Sequence, residues 1–233
     1  MTSAFKPHLS ILPEAQLRLW PELRATAELG FVLYGGTAIA LRLGHRRSVD
    51  FDFFTEKSLG REALNAAFPF IKHSTLLQDQ PNTLTFNVPY EKALEQHVKV
   101  SFFGEIDFGR YAEPQTTEDG VLQVASLDDL IATKVKVLLQ RVEAKDYQDI
   151  AALLRAGVAL DRGLAIAKAM FGSNFQPSEA LKAMTYFEGG DLHLLTSDER
   201  RTLIEAASKV RQVPHVEMAA YKLAVDQLAG ESI

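Results

Sequence analysis

The segment spanning residues 31–54 constrains this chain most, because it packs a short apolar run, a glycine pair, a second apolar run and an alternating stretch into consecutive positions. Residues 31–34 read as a short buried strand. Gly35 and Gly36 make a turn, residues 37–43 have the apolar content of a short helix, and Gly44 ends it. After the basic loop His45, Arg46, Arg47, residues 49–54 alternate as a strand does, with Val49, Phe51 and Phe53 on the apolar face. Asp50 and Asp52 therefore share the opposite face.

Two aspartates at i and i+2 on a strand stand about 6 to 7 Å apart, close enough to converge on shared divalent metal ions and too close to stay charged comfortably without them. Phosphoryl chemistry needs such carboxylates, because metal ions must neutralise phosphate oxygens and activate an attacking hydroxyl. An isolated Asp-x-Asp is also accounted for by a solvated strand face, so the surroundings decide. The helix that opens at Gly35, Gly36 and Thr37 offers free backbone N–H groups and the positive end of its dipole to a phosphate, and Arg46 and Arg47 stand beside it. With 25 Lys and Arg against 30 Asp and Glu, the formal charge is −5, so nucleic-acid contact would use a local patch rather than the global field. The absence of cysteine excludes a disulfide framework, a thiol nucleophile and cysteine-bound zinc.

Around this segment the chain reads as an α/β unit followed by helices. Residues 13–29 are amphipathic, with Pro21 kinking or dividing the helix and Gly30 as its C-cap. A helix over residues 61–68, strands over 71–77, 83–88 and 98–103, and a Pro81-Asn82 turn extend a mixed sheet. From Ser126, an N-cap with Asp129 three residues on, the pattern is helical: residues 127–141, 146–155, 162–170, 178–184, 197–211 and 217–228. This divides the chain into an α/β domain at residues 1–125 and a helical domain at residues 126–233 that completes the cleft. No run approaches the roughly 18 apolar residues of a membrane span, and no secretory signal is visible, so a cytoplasmic protein without membrane contact is expected.

The helical part carries a second group of candidates. Lys134 has Leu130, Ile131, Val137 and Leu138 at helical neighbour positions, which places an ammonium on an apolar stripe. Either the stem packs while the head snorkels to water, or the charge has a task. Lys136 reads as flank. Asp146 and Asp149 open the next helix, where capping explains one carboxylate but not both. The aromatic pairs Phe53-Phe54 and Phe102-Phe103 lie on strands and read as core packing. The histidines show no metal-ligand spacing, and His45 in its polar loop reads as solvated.

The stretch LYGGTAIALRLGHRRSVDFDFFT, residues 33–55, resembles the first motif of the AbiEii/AbiGii-toxin nucleotidyltransferases, within the polymerase-β superfamily. The stretch DDLIATKVKVLLQRVEAKDYQDIAALL, residues 128–154, is similar to that family's later motifs, a lysine on one helix and an aspartate opening the next. The resemblance implies a polymerase-β-like mixed sheet with flanking helices and a C-terminal helical bundle. It further implies that Asp50 and Asp52 bind Mg²⁺, that Ser48 lies near the phosphates of an NTP, that Lys134 holds the triphosphate, and that Asp146 orients it or acts as base. An RNA acceptor such as a tRNA end, and an antitoxin partner, belong to the same implication. One position departs from the pattern: polymerase-β-like enzymes commonly place a third carboxylate on a later strand, where this chain has Ser101. Glu105 and Asp107 are the nearest substitutes. Ser101 therefore also leaves open a non-catalytic nucleotide- or partner-binding module. Phosphate-ester hydrolysis on a haloacid-dehalogenase-like scaffold fits less well, since its Asp-x-Asp stands early and precedes Thr or Val, whereas Asp52 precedes Phe53-Phe54 and follows a glycine turn and helix.

Overall fold

The structure, a computed structural model, describes residues 3–90 and 97–225. Its centre is one mixed sheet of eight strands: β1 (Ala4–Phe5), β2 (Val32–Tyr34), β3 (Asp50–Phe54), β4 (Thr75–Gln80), β5 (Thr83–Pro89), β6 (His97–Phe103), β7 (Gln115–Thr117) and β8 (Gln123–Val124). They lie in the order β1-β7-β8-β2-β3-β6-β5-β4. β3 runs antiparallel to β2 and parallel to β6, so it occupies the interior of the sheet. Its sequence suits that place: Phe51 and Phe53, with Val100 and Phe102 on β6, are fully buried on one face, while Asp50, Asp52 and Phe54 alternate onto the other. Val49 does not continue the apolar face as its sequence position suggested; it precedes the strand and is 51% exposed.

Of the helices that flank the sheet, the one expected over residues 13–29 is split. Pro21 falls in a 3-10 turn, Trp20–Arg24, between α1 (Glu14–Leu19) and α2 (Ala25–Glu28), because its ring cannot continue the α-helical hydrogen-bond ladder. Gly30, at φ +82, closes the unit. Next, α3 (Gly35–Leu43) links the antiparallel neighbours β2 and β3. Ala38, Ile39, Ala40 and Leu41 are fully buried, since α3 is packed between β3 and two later helices. Gly44 caps it in the left-handed conformation, its N–H donating to the Ala40 carbonyl at 2.8 Å. α4 (Arg61–Ala67) begins the excursion that ends in β6, and a 3-10 turn at Pro69–His73 takes up residues expected to be strand, so β4 starts only at Thr75.

The later helices are α5 (Leu127–Val137), α6 (Ala144–Arg155), α7 (Leu160–Phe171), α8 (Pro177–Thr185) and α9 (Ser197–Lys209). The Ser126 cap is formed: its hydroxyl accepts from the Asp129 N–H at 3.0 Å. α5 stops four residues short of the expected end, and the turn that follows lets Arg141 reach back to Asp146 at 2.8 Å. Residues 217–225 are not helical, contrary to expectation, and residues 226–228 of that segment lie outside the described residues. Arg110 captures this segment instead: its N–H donates to the Ala220 carbonyl at 2.8 Å and its guanidinium to the Lys222 carbonyl at 2.8 Å, which seats Leu223 in the core. A single cluster of buried side chains runs from Ile11 to Leu223, joining sheet and helices. No helix among the described residues is long and apolar enough to cross a membrane.

Candidate active site

The strand register builds the site. On β3 the residues facing away from the core are Asp50, Asp52 and Phe54, and β6 places Lys99, Ser101 and Phe103 directly beside them. The two strands thus carry an ionic pair of positions, then a polar one, then an aromatic one. Asp50 lies 4.0 Å from the Lys99 ammonium, and both side chains are well exposed. Asp52 is deeper. Burial pushes its carboxyl above the ordinary carboxylate range, Lys99 opposes the shift, Asp50 reinforces it, and the Ser101 hydroxyl and Lys134 oppose it weakly. A carboxylate made uncomfortable by burial and a like neighbour favours an incoming cation.

The glycine pair is required by close packing at this point. Gly35 has φ +75, and a Cβ there would stand 2.8 Å from Asp52 Oδ2. A Cβ on Gly36 would run into the Arg46 guanidinium and stand 3.2 Å from Asp149 Oδ2. Only glycine allows the start of α3 to sit against the acidic strand on one side and the basic loop on the other. Thr37 fixes the loop to the strand. Its hydroxyl lies 2.7 Å from Ser48 Oγ and against the Asp50 carbonyl. The carbonyl can only accept, so Thr37 donates to it and accepts from Ser48.

Lys134 stands opposite, on α5, and its ammonium is 2.7 Å from both Asp146 Oδ1 and Asp149 Oδ2 on α6. Both aspartates are fully buried and saturated with cations. Asp149 also meets His45 Nε2 at 2.7 Å, Arg46 Nε at 2.7 Å and Arg46 Nη2 at 2.9 Å. Asp146 also takes two bonds from Arg141, at 2.8 and 3.1 Å. Burial alone would raise both carboxyls. The bonds from His45, Lys134 and Arg46 overcome it and hold Asp149 far below the usual range, and those from Arg141 and Lys134 hold Asp146 down as well. His45, expected to be solvated, is therefore a partner of Asp149.

Between these two groups opens a cleft of about 920 Å³. Gly35, Gly36, Thr37, Arg46, Arg47, Ser48, Asp50, Asp52 and Lys134 all line it. Asp146 does not, and neither do Asp149, Glu105 or Asp107. Glu105 accepts from the Ser58 hydroxyl at 2.8 Å, and among the described residues the position of Ser101 has no acidic substitute in the cleft wall. Sequence reasoning missed Lys99, Arg141 and Lys145, which also line the cleft, and it placed Phe54 and Phe103 in the core, where only Phe53 and Phe102 lie. Strand alternation held the signal for these aromatic residues, since consecutive residues must face opposite ways. Among the described residues no three acidic or histidine side chains come together as a ready metal cage.

Comparison with known proteins bears on the family and the fold. A family model described as "Nucleotidyl transferase AbiEii toxin, Type IV TA system" matches residues 19–221. An uncharacterized protein of Aquifex aeolicus is 31% identical over 161 residues, covering 68% of this chain and 74% of that protein. Two solved structures share the fold. One is a crystal structure from H. pylori provisionally named a nucleotidyltransferase, with a TM-score of 0.55, 19% identity, and 84% of this chain and 94% of that one covered. The other is MenT4, a nucleotidyltransferase toxin of Mycobacterium tuberculosis, with a TM-score of 0.52, 15% identity, and 84% and 86% covered.

Proposed function

Since the chain belongs to the AbiEii family of nucleotidyltransferase toxins, we propose that it transfers a nucleoside monophosphate from an NTP to an RNA acceptor, with Asp50 and Asp52 holding Mg²⁺. The observation that carries this reading is that the acidic strand, the glycine turn and Lys134 line one cleft. Mg²⁺ is usually bound by one or two carboxylates together with water and substrate phosphates, so a two-carboxylate site fits it without a third protein ligand. The ion, when bound, neutralises phosphate oxygens and makes an acceptor hydroxyl easier to deprotonate. In the transfer itself an acceptor hydroxyl loses its proton to water, its oxygen bonds to the α-phosphorus, the bond to the bridging oxygen breaks, and pyrophosphate leaves.

The chain's own residues bind and orient. Backbone N–H groups at Gly35, Gly36 and Thr37 present the positive end of α3 to the phosphates, and Arg46, Arg47 and Lys134 add charge around them. Ser48 acts through its bond to Thr37, which holds the loop against β3. Asp146 is a positioning residue rather than a base, because Lys134 and Arg141 already occupy its two oxygens. The cationic cleft rim, with Arg47, Lys99, Lys136, Arg141 and Lys145, supports a nucleic-acid acceptor, for which a tRNA end is our choice, despite the acidic chain as a whole. We read residues 1–125 as the nucleotidyltransferase-like domain, residues 126–233 as the helical domain that closes the cleft, the cytoplasm as the compartment, and an antitoxin protein as the partner in the cell. Incubating the purified protein with each labelled NTP, Mg²⁺ and total RNA tests this reading: labelled RNA that disappears with Asp52→Ala supports it, and no labelled product from any of the four nucleotides overturns it.

A further inference from the structure

One end of the cleft is aromatic. Phe54 and Phe103 lie side by side on β3 and β6, their rings 4.8 Å apart and nearly parallel at 27°. Unlike Phe53 and Phe102, which are fully buried on the other face of the sheet, both are half-buried and line the cleft. Phe108 packs against Phe54 at 6.4 Å, and Phe171, at the end of α7, packs against Phe108 at 5.5 Å. Lys136 reaches over the Phe171 ring at 5.8 Å. Partly exposed aromatic rings within an otherwise cationic cleft fit a flat, π-rich ligand part joined to an anionic one.

Their position along the strand says which part. Phe54 follows Asp52 by two residues on the same face, about 7 Å farther along β3. That is close to the reach from an α-phosphate, across a ribose, to its base. Arg46, Arg47 and Ser48 lie in the loop that enters β3 at Asp50, so the strand runs from the phosphate-binding end to the aromatic end. We propose that Phe54 and Phe103 form the platform on which the base of the incoming NTP stacks, with Phe108 and Phe171 continuing the aromatic surface beside it. This rests on the reading of the Asp50–Asp52 end as the triphosphate site. Stacking is sequence-tolerant, because every base offers a π face, so the platform supplies affinity for a nucleoside.

Calorimetric titration with Mg²⁺ and each of ATP, GTP, CTP and UTP, against inorganic tripolyphosphate, tests the platform on binding alone. In the wild-type protein at least one NTP is expected to bind about tenfold to a hundredfold more tightly than tripolyphosphate. Phe103→Leu, which keeps apolar volume but not the ring, should lose most of that advantage while tripolyphosphate affinity stays unchanged, and Phe103→Trp should restore it. Unchanged tripolyphosphate binding also reports that the variant is folded. An NTP no tighter than tripolyphosphate in the wild type, or an advantage that survives in both Phe103→Leu and Phe54→Leu, overturns the platform and leaves the phosphate site standing. Failure of the wild type to bind either ligand overturns both.

Discussion

Two pairs of aspartates stand on either side of the cleft, and their environments are opposite. Asp146 and Asp149, on a helix, are fully buried and touched by Lys134, Arg46, Arg141 and His45. Among the described residues, Asp50 and Asp52, on a strand, have only Lys99 within ion-pairing distance, at 4.0 Å from Asp50. Carboxyl pKa follows the difference: Asp146 and Asp149 are depressed, while burial raises Asp52. The helical pair is electrostatically complete and serves to hold Lys134 and the Arg46 loop in place. The strand pair is incomplete, which is what a site for an external cation requires.

The contrast breaks most visibly under single substitutions. Asp52→Ala is expected to lower nucleotidyl transfer by about 10³-fold or more, with a melting temperature equal to or above that of the wild type, since removing a strained carboxylate relieves the folded state. Asp149→Ala takes the shared buried carboxylate away from Lys134 and Arg46 and should lose about 3–5 kcal/mol in urea unfolding. If instead Asp52→Ala proved the unfolding variant and Asp149→Ala the stable one, the roles assigned to the two pairs would be reversed. Gly35→Ala forces a side chain into a left-handed position against Asp52 and should lose roughly 1–3 kcal/mol along with transfer activity.

Acid separates the pairs by sign. The folded-state pKa values of Asp146 and Asp149 are below the ordinary value, so their contribution is complete above about pH 4 and is lost as pH falls through the depressed values. Asp52, raised when folded, begins to disfavour folding as pH rises past the ordinary carboxyl value, and the penalty is complete above its folded pKa. Urea midpoints measured from pH 7 downward should therefore fall less steeply in Asp149→Asn than in the wild type, and equal slopes would contradict the network. The smallest effect is expected from Lys99→Ala: an exposed pair contributes no more than about 1 kcal/mol, so stability should hardly change.

Much of this was legible in residue order. The Gly35-Gly36 turn, the Asp50/Asp52 face and the Ser126 cap follow from local rules of backbone conformation and strand alternation, which act within a few residues. β1, β7 and β8 did not, because strands of two or three residues hold no measurable period and form only where the rest of the sheet offers an edge. Lys134 was visible as a charge on an apolar stripe, but its bond to Asp149 and the shared grip of Arg46 and His45 depend on how α3 and α6 meet. Arg141 was hidden for the same reason. It fell within an expected helix end that is instead a turn, from which it bonds Asp146.

The central claim is that the strand pair accepts the metal and the helical pair does not. A crystal soaked with Mn²⁺ and a non-hydrolysable NTP analogue, measured for anomalous scattering, addresses it directly. A manganese peak shared by Asp50 and Asp52, with Lys134 still bonded to Asp146 and Asp149, is the expected result. A peak ligated by Asp146 or Asp149, or nucleotide bound with no metal at Asp50 and Asp52, would contradict it.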